Sequence, residues 1–228
     1  MKRRFTAAVL IAIILLLSGC RTVESLSDDE LRQALRQAGE LAVDNASGEI
    51  LDELDTLNYL PHSIDSAIGA MVDVPGLGYL FEKWEDYAAG TFASEIGLLP
   101  DFIKYQISTL TFEYPRKMLE SDTSVIDLLY STRLVEIEAA ILEVMNQKLD
   151  ISSFNKALEL YNDFLLTSHQ LPDHEKAGTP LSIDPRAELV KAFTEFIFRK
   201  MQISEKRIRT TPDLSLDRLF VTAFSLDV

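Results

Sequence analysis

Apolar residues recur along this chain at three- and four-residue intervals and nowhere alternate convincingly, which is the pattern of helices packed on one another. Ser27-Asp28-Asp29-Glu30 has the serine-to-glutamate spacing of a capping box, so a helix begins there. Leu31, Leu35, Ala38 and Leu41–Ala42 fall on its inner face, and Gly48 is expected to end it. Ile50, Leu51, Leu54 and Leu57 give 49–58 the same character, up to Pro61. A short helix is expected over 63–72, before Pro75 and Gly76, and a longer one from Tyr79 to Ile96, ending near Gly97. Pro100 and Asp101 suit a first helical turn. Another short segment starts at Thr111 or Phe112, with Pro115 tolerable only in its first turn. Val125 to Leu149 is strongly helical, with Ser131 the place where it would break, and Ser153 to Thr167 follows. His169 to Asp184 is a long irregular stretch. A helix from Arg186 to Thr210, stopped by Pro212, and a segment from Leu214 to Phe224 complete the chain. With no internal repeat, the expected fold class is all-α, a compact bundle of about eight to ten helices in a single domain over 27–228.

The first residues break this pattern. Lys2, Arg3 and Arg4 precede an unbroken apolar run from Ala7 to Leu17, 11 residues long. A membrane-spanning helix needs about 20, whereas a run of this length behind positive charge fits the core of a secretory signal peptide. Leu17-Ser18-Gly19-Cys20 resembles the bacterial lipobox, in which the thiol receives a diacylglyceryl group and the chain is cut just before it. Cys20 is the sole cysteine, and a lone thiol in an exported chain is a reactive liability that lipidation removes. The expected organisation is therefore a signal peptide over 1–19, a lipidated tether over 20–26 and the helical domain. Several acyl chains give a stable anchor, at about 0.8 kcal/mol per buried CH₂. Arg21 stands where an aspartate signals inner-membrane retention in enteric-type bacteria, and this resembles an outer-membrane lipoprotein facing the periplasm. The seven steps from Cys20 to Ser27 reach at most about 25 Å, so the domain is held close to the bilayer.

Charge narrows the partners. The chain carries 22 basic and 36 acidic residues, a net charge of −14, and loss of the signal removes three basic residues and no acidic ones. Such a chain is repelled by nucleic acid and by phospholipid phosphates. Attachment to the membrane must come from the lipid on Cys20. With no thiol left for a disulfide, the domain rests on its hydrophobic core, which an apolar fraction of 47% makes feasible.

Two blocks, "LTFEYPRKMLESDTSV" (Leu110 to Val125) and "EKRIRTTPDLSLDRLF" (Glu205 to Phe220), are similar to signature blocks of a bacterial family catalogued as domain of unknown function 4197. "LRQALRQAGELAV" resembles its opening helix, "LNYLP" its apolar run ending in proline, and "PGLGYLFEKWEDYAA" the segment after that. Order and spacing agree over most of Leu31 to Phe220. The resemblance implies an exported, often lipidated, predominantly helical protein, and it implies no reaction. The chain departs from the family at Asp86 and Gly90, where an asparagine and a glutamate are usual, and at Tyr114-Pro115, where Asp-Ala is usual.

Fragments of catalytic motifs are present without their partners. "GLGYLF" from Gly76 lacks the third glycine and the preceding strand of a dinucleotide fingerprint, and reads as a helix-to-helix turn. Ser153-Phe154-Asn155-Lys156 fits S-x-x-K, but Lys176-Ala177-Gly178-Thr179 only approximates one downstream motif and no S-D-x triplet follows; a serine capping a helix explains it. His169 and His174 flank Asp173 and Glu175 in a polar loop without the H-E-x-x-H spacing of a zinc helix. Glu49, Asp52, Glu53 and Asp55 alternate with Leu51 and Leu54 and read as a solvated helix face. No cofactor and no metal is expected.

Arg199, Lys200, Lys206, Arg207 and Arg209 form the one basic concentration. Cations near a helix end offset its dipole and pair with nearby acids. The functional reading takes Arg199, Lys206, Arg207 and Arg209 as a contact for an acidic envelope protein or a lipid headgroup. Phe193, Phe196, Ile197 and Met201 make one aromatic-apolar stripe, and Phe81, Trp84, Tyr87 and Ala88 another; both read as core, or as pocket lining if the helices leave a space. The function expected from sequence is a non-catalytic interaction or structural lipoprotein of the envelope. The alternatives are a binding module for a lipid or other apolar ligand, favoured by a stable cavity, and a hydrolase or metalloenzyme using His169, His174 or Ser153.

Overall fold

The computed structural model describes residues 25–62, 64, 74–121, 123–168, 181–211 and 218–224. The residues of the expected signal peptide, Cys20, most of the expected helix over 63–72 and residues 169–180 of the expected irregular stretch lie outside them. All regular structure among the described residues is helical, and no strand is present there. In chain order the α-helices are α1 (Asp28–Asp52), α2 (Leu77–Glu95), α3 (Leu99–Ser108), α4 (Pro115–Glu120), α5 (Val125–Lys148), α6 (Ser152–Ser168), α7 (Pro185–Thr210) and α8 (Arg218–Phe224).

The helix starts are where local chemistry puts them. Ser27 Oγ accepts from the Glu30 amide at 3.3 Å while Glu30 Oε2 accepts from the Ser27 amide at 2.9 Å, the reciprocal capping box. Ser124 and Asp127 do the same for α5. Asp184 Oδ1 accepts from the Arg186 amide to cap α7, with Pro185 in the first turn. Arg186 grips both Asp184 oxygens, and this hydrogen bonding holds the carboxyl below its usual range.

Several boundaries differ from the periodic expectation: the separate helix expected over 49–58 is the end of α1 followed by a 3₁₀ turn, Leu54–Thr56, and α4 begins at Pro115 and not at Thr111 or Phe112. α1 runs through Gly48 to Asp52, because Ala42, Val43, Ala46 and Ile50 keep one face buried across that residue. A helical glycine costs only about 1 kcal/mol relative to alanine, less than this burial returns. α5 is unbroken at Ser131, whose hydroxyl donates to the Leu128 carbonyl at 3.0 Å and stays at the surface.

α1 and α7 form the centre. α5 packs on α7, α3, α4 and α8 on α1, and α2 pairs with α6. α1 can be surrounded because its buried face is small: Ala34, Ala38, Gly39, Ala42 and Ala46 let backbones come close. α7 supplies the bulk with Phe193, Phe196, Ile197, Phe198 and Met201, all buried. Phe92 of α2 stacks on Phe193 at 4.5 Å, and Trp84 lies 5.1 Å from Phe154 of α6 while donating its indole N–H to the Tyr59 carbonyl at 2.9 Å. Both aromatic stripes are thus core, except that Tyr87 faces out. One contiguous apolar cluster runs from Leu26 to Phe224.

Gly39 marks the tightest approach. A Cβ there would lie 2.8 Å from Cγ1 of Val125 and 3.3 Å from two atoms of Ile107. Valine is stiff at χ1 and cannot swing aside cheaply. Gly39→Ala is therefore expected to destabilise the protein by about 1–3 kcal/mol from overpacking, despite the better helix propensity of alanine. Urea denaturation of the two proteins checks this, and an unchanged or raised midpoint would contradict it.

Candidate functional site

The basic residues divide into two groups. Arg199 and Lys206 are exposed and make no ion pair among the described residues. With Ile203 between them, also exposed, they follow one stripe of α7 at helical spacing. The others are engaged internally. Lys200 pairs with Glu53, and Arg207 Nη1 lies 3.1 Å from Glu49 Oε1, both on the acidic end of α1. Arg209 is largely buried: Nη1 donates to the Thr123 carbonyl at 2.9 Å, and Nη2 to that of Met118 at 2.6 Å. Its guanidinium also stands 5.6 Å from the ring centroid of Phe224.

Beside Arg209 lies a residue that sequence reasoning passed over. Glu205 has 0% exposure. Its Oε1 accepts from the Val125 amide at 2.8 Å and its Oε2 from the Ile126 amide at 2.9 Å, and Arg209 stands 3.8 Å away. These are first-turn amides of α5, which have no partner within their own helix. Val125 and Glu205, eighty residues apart in the chain, meet here. Burial pushes the Glu205 carboxyl above the usual glutamate range, and the two amides, Arg209 and Ser124 pull against it without cancelling it. A signal was available. Glu205 falls in the apolar register of α7, with Met201 before it and Ile208 after, where a solvated glutamate does not belong.

The open spaces lie elsewhere. A 3₁₀ turn, Ile96–Leu98, joins α2 to α3 with no intervening loop. Two apolar clefts flank it. The first, about 230 Å³, is enclosed by Phe92, Glu95, Ile96, Leu98, Leu99 and Phe102 on one wall and by Ala140, Ile141, Val144 and Met145 of α5 on the other, with Phe193 also lining it. The second, about 280 Å³, lies between the far end of α1 (Val43, Ser47, Gly48, Ile50, Leu51), the start of α3, and Ile197 and Met201 of α7. Ile96 and Leu99 line both. Leu98 is 72% exposed at the mouth of the first, and Leu51 51% exposed at the mouth of the second. Glu95 and Ser47 are the polar side chains of their linings, and the Ser47 hydroxyl already donates to the Val43 carbonyl at 2.6 Å. Next to the first cleft is a polar bowl of about 320 Å³ formed by Asp86, Tyr87, Gly90, Thr91, Ser94, Glu95 and Lys148.

Of the catalytic fragments, Ser153 is a buried residue in the first turn of α6, and His169 and His174 lie outside the described residues. Among the described residues no three His, Cys, Asp or Glu side chains gather as a metal-ion site. There too, no helix is long and apolar enough to cross a membrane. Comparison with protein-family models finds no match, and comparison with curated proteins and with solved structures finds none either.

Two expectations follow for the basic region. Arg209→Ala removes the partner of the Met118 and Thr123 carbonyls and the cation beside buried Glu205 and is expected to cost about 2–3 kcal/mol, whereas Lys206→Ala stays within about 0.5 kcal/mol; denaturant midpoints of both variants check the contrast. The second concerns pH. Because the folded value of Glu205 is raised, the folded protein binds the extra proton between the ordinary glutamate value and the raised one. The contribution of Glu205 is therefore full below that window and lost as pH rises through it. Asp184, held low by Arg186, acts with the opposite sign and loses its contribution as pH falls through its folded value. Thermal midpoints across the acid range should show Glu205→Gln losing a downward slope that the parent has, and an unaltered slope would contradict the assignment.

Proposed function

We propose that this protein is a non-catalytic, lipid-anchored component of the bacterial cell envelope whose working surface is the pair of apolar clefts around Ile96 and Leu99, and that it binds a lipid or other apolar ligand there. The sequence supports the anchor: a signal peptide over 1–19, lipidation of Cys20, a tether over 20–26 and outer-membrane attachment facing the periplasm. On this reading the chain belongs with the exported helical family its signature blocks resemble. Its bundle then comprises about eight to ten helices in one domain over 27–228, once segments outside the described residues are included.

The observation that carries the proposal is the pair of adjoining clefts of about 230 and 280 Å³, walled by apolar side chains and opening at exposed Leu98 and Leu51. Apolar surface left open in this form is what a ligand site offers. Position adds to it. Ser47 lies about 30 Å along α1 from the helix start at the tether, at 1.5 Å per residue. The second cleft thus lies toward the end of α1 away from the helix start that follows the tether.

Exposed Arg199, Ile203 and Lys206 favour a second reading, in which this stripe of α7 contacts an acidic envelope protein; Arg207 and Arg209 take little part because their guanidinium groups are engaged internally.

The ligand reading predicts saturable binding of the uncharged apolar dye diphenylhexatriene, followed by its fluorescence. Ala140→Trp, which fills the first cleft from the α5 side, should abolish most of that signal while leaving the helical circular dichroism unchanged. A parent protein that binds no dye, or a variant that binds it equally, would overturn the reading.

A further inference from the structure

The first apolar cleft and the polar bowl are neighbours, with Glu95 lining both. α2 and the 3₁₀ turn that follows it produce this change of chemistry along the chain. Phe92 and Ile96 line the cleft, while Asp86, Tyr87 and Gly90 line the bowl. A ligand lying along this path has one apolar end and one polar end.

The bowl constrains the polar end. Tyr87 is 48% exposed and offers part of its ring as a surface. At Gly90 a Cβ would meet nothing within 4 Å, so the space beside the ring is open. The hydroxyls of Thr91 and Ser94 donate to the carbonyls of Tyr87 and Thr91, each at 2.8 Å, and toward the bowl they retain only acceptor capacity. Asp86 and Glu95 are acceptors as well. Lys148 Nζ, 3.0 Å from Glu95 Oε1, uses one of its three donors there and keeps the others. The bowl is therefore rich in acceptors, has one strong donor, and contains an aromatic face. A hydroxyl both donates and accepts, and a ring of C–H groups packs against an aromatic face. A phosphate or carboxylate head would meet Asp86 and Glu95. A quaternary ammonium head is attracted by Asp86, Glu95 and the Tyr87 face, but it gives the acceptors no hydrogen bond, takes none from Lys148 and is repelled by its charge.

We infer that cleft and bowl form one site for a single-chain amphiphile with an uncharged head bearing several hydroxyls, such as a sugar, its chain among Phe92, Phe102 and Val144 and its head beside Tyr87, Asp86 and Lys148. The inference rests on the apolar-ligand reading and adds the chemical class of the head.

Three probes of equal chain length test it, each used below its micelle-forming concentration: octyl glucoside, octyl phosphate and octyltrimethylammonium, titrated by calorimetry into the mature chain carrying Cys20→Ser. Octyl glucoside is expected to bind at least about tenfold more tightly than the other two. Tyr87→Ala and Asp86→Ala, both at exposed positions, should each weaken glucoside binding by roughly five- to tenfold and leave the charged probes unaffected or improved. Ala140→Trp should abolish binding of all three. Equal affinities for the three probes, with Ala140→Trp still abolishing them, would overturn the hydroxylated head while the apolar-ligand reading stands. Failure of all three to bind the parent chain would overturn both.

Discussion

The first turn of α5 depends on a carboxylate from another helix. Glu205 projects from α7 into a position without solvent and takes the amides of Val125 and Ile126, one on each oxygen. A negative group at a helix N-terminus is also where the helix dipole favours it. The same residue, Val125, presses its side chain onto Gly39 of α1. Backbone and side chain of one residue thus fix α5 against both central helices. Arg209, one turn beyond Glu205, ties down the carbonyls of Met118 and Thr123 and so holds the chain that leads into that turn. The carboxyl bears a cost, since burial raises it above the usual glutamate range. Such a group is retained where its geometry specifies an arrangement that an apolar residue could not. Here the arrangement is the placing of α5, and α5 is one wall of the first apolar cleft.

The charge distribution of α7 fits this construction. The chain has a large acid excess, and much of the positive charge of α7 neutralises it internally: Lys200 at Glu53, Arg207 at Glu49, Arg209 at Glu205. At the mouths of the clefts the exposed side chains Leu98 and Leu51 are apolar. The helices meeting there are joined by a three-residue turn in which Ile96 packs against the core and lines both clefts, while Leu98 is exposed.

Much of the helical content was legible because it rests on local rules. The Ser27 box, Pro100 and Pro115 in first turns, and the apolar stripes of α2 and α7 follow from spacing alone. The end of α1 was misjudged because Gly48 was weighed as a breaker, whereas Ala46 and Ile50 carry the buried face across it. The site was harder to see. Glu205 reads as one more charge among EKRIR until it is placed in the register of Met201 and Ile208. Its partners lie about eighty residues away, and the amides it binds belong to the backbone, which leaves no mark on side-chain pattern. The clefts are a matter of how far α2, α3 and α5 stand apart, and helical periodicity says which faces are apolar without saying how completely they close.

Native mass spectrometry of residues 21–228, exported to the periplasm without the lipid site, tests the central claim most directly. The account predicts a protein that carries a noncovalent mass, released on denaturation, whose value corresponds to a single-chain amphiphile. A bare apoprotein mass from protein taken directly from the periplasm would contradict it and leave the exposed stripe of Arg199, Ile203 and Lys206 as the surface through which this protein acts.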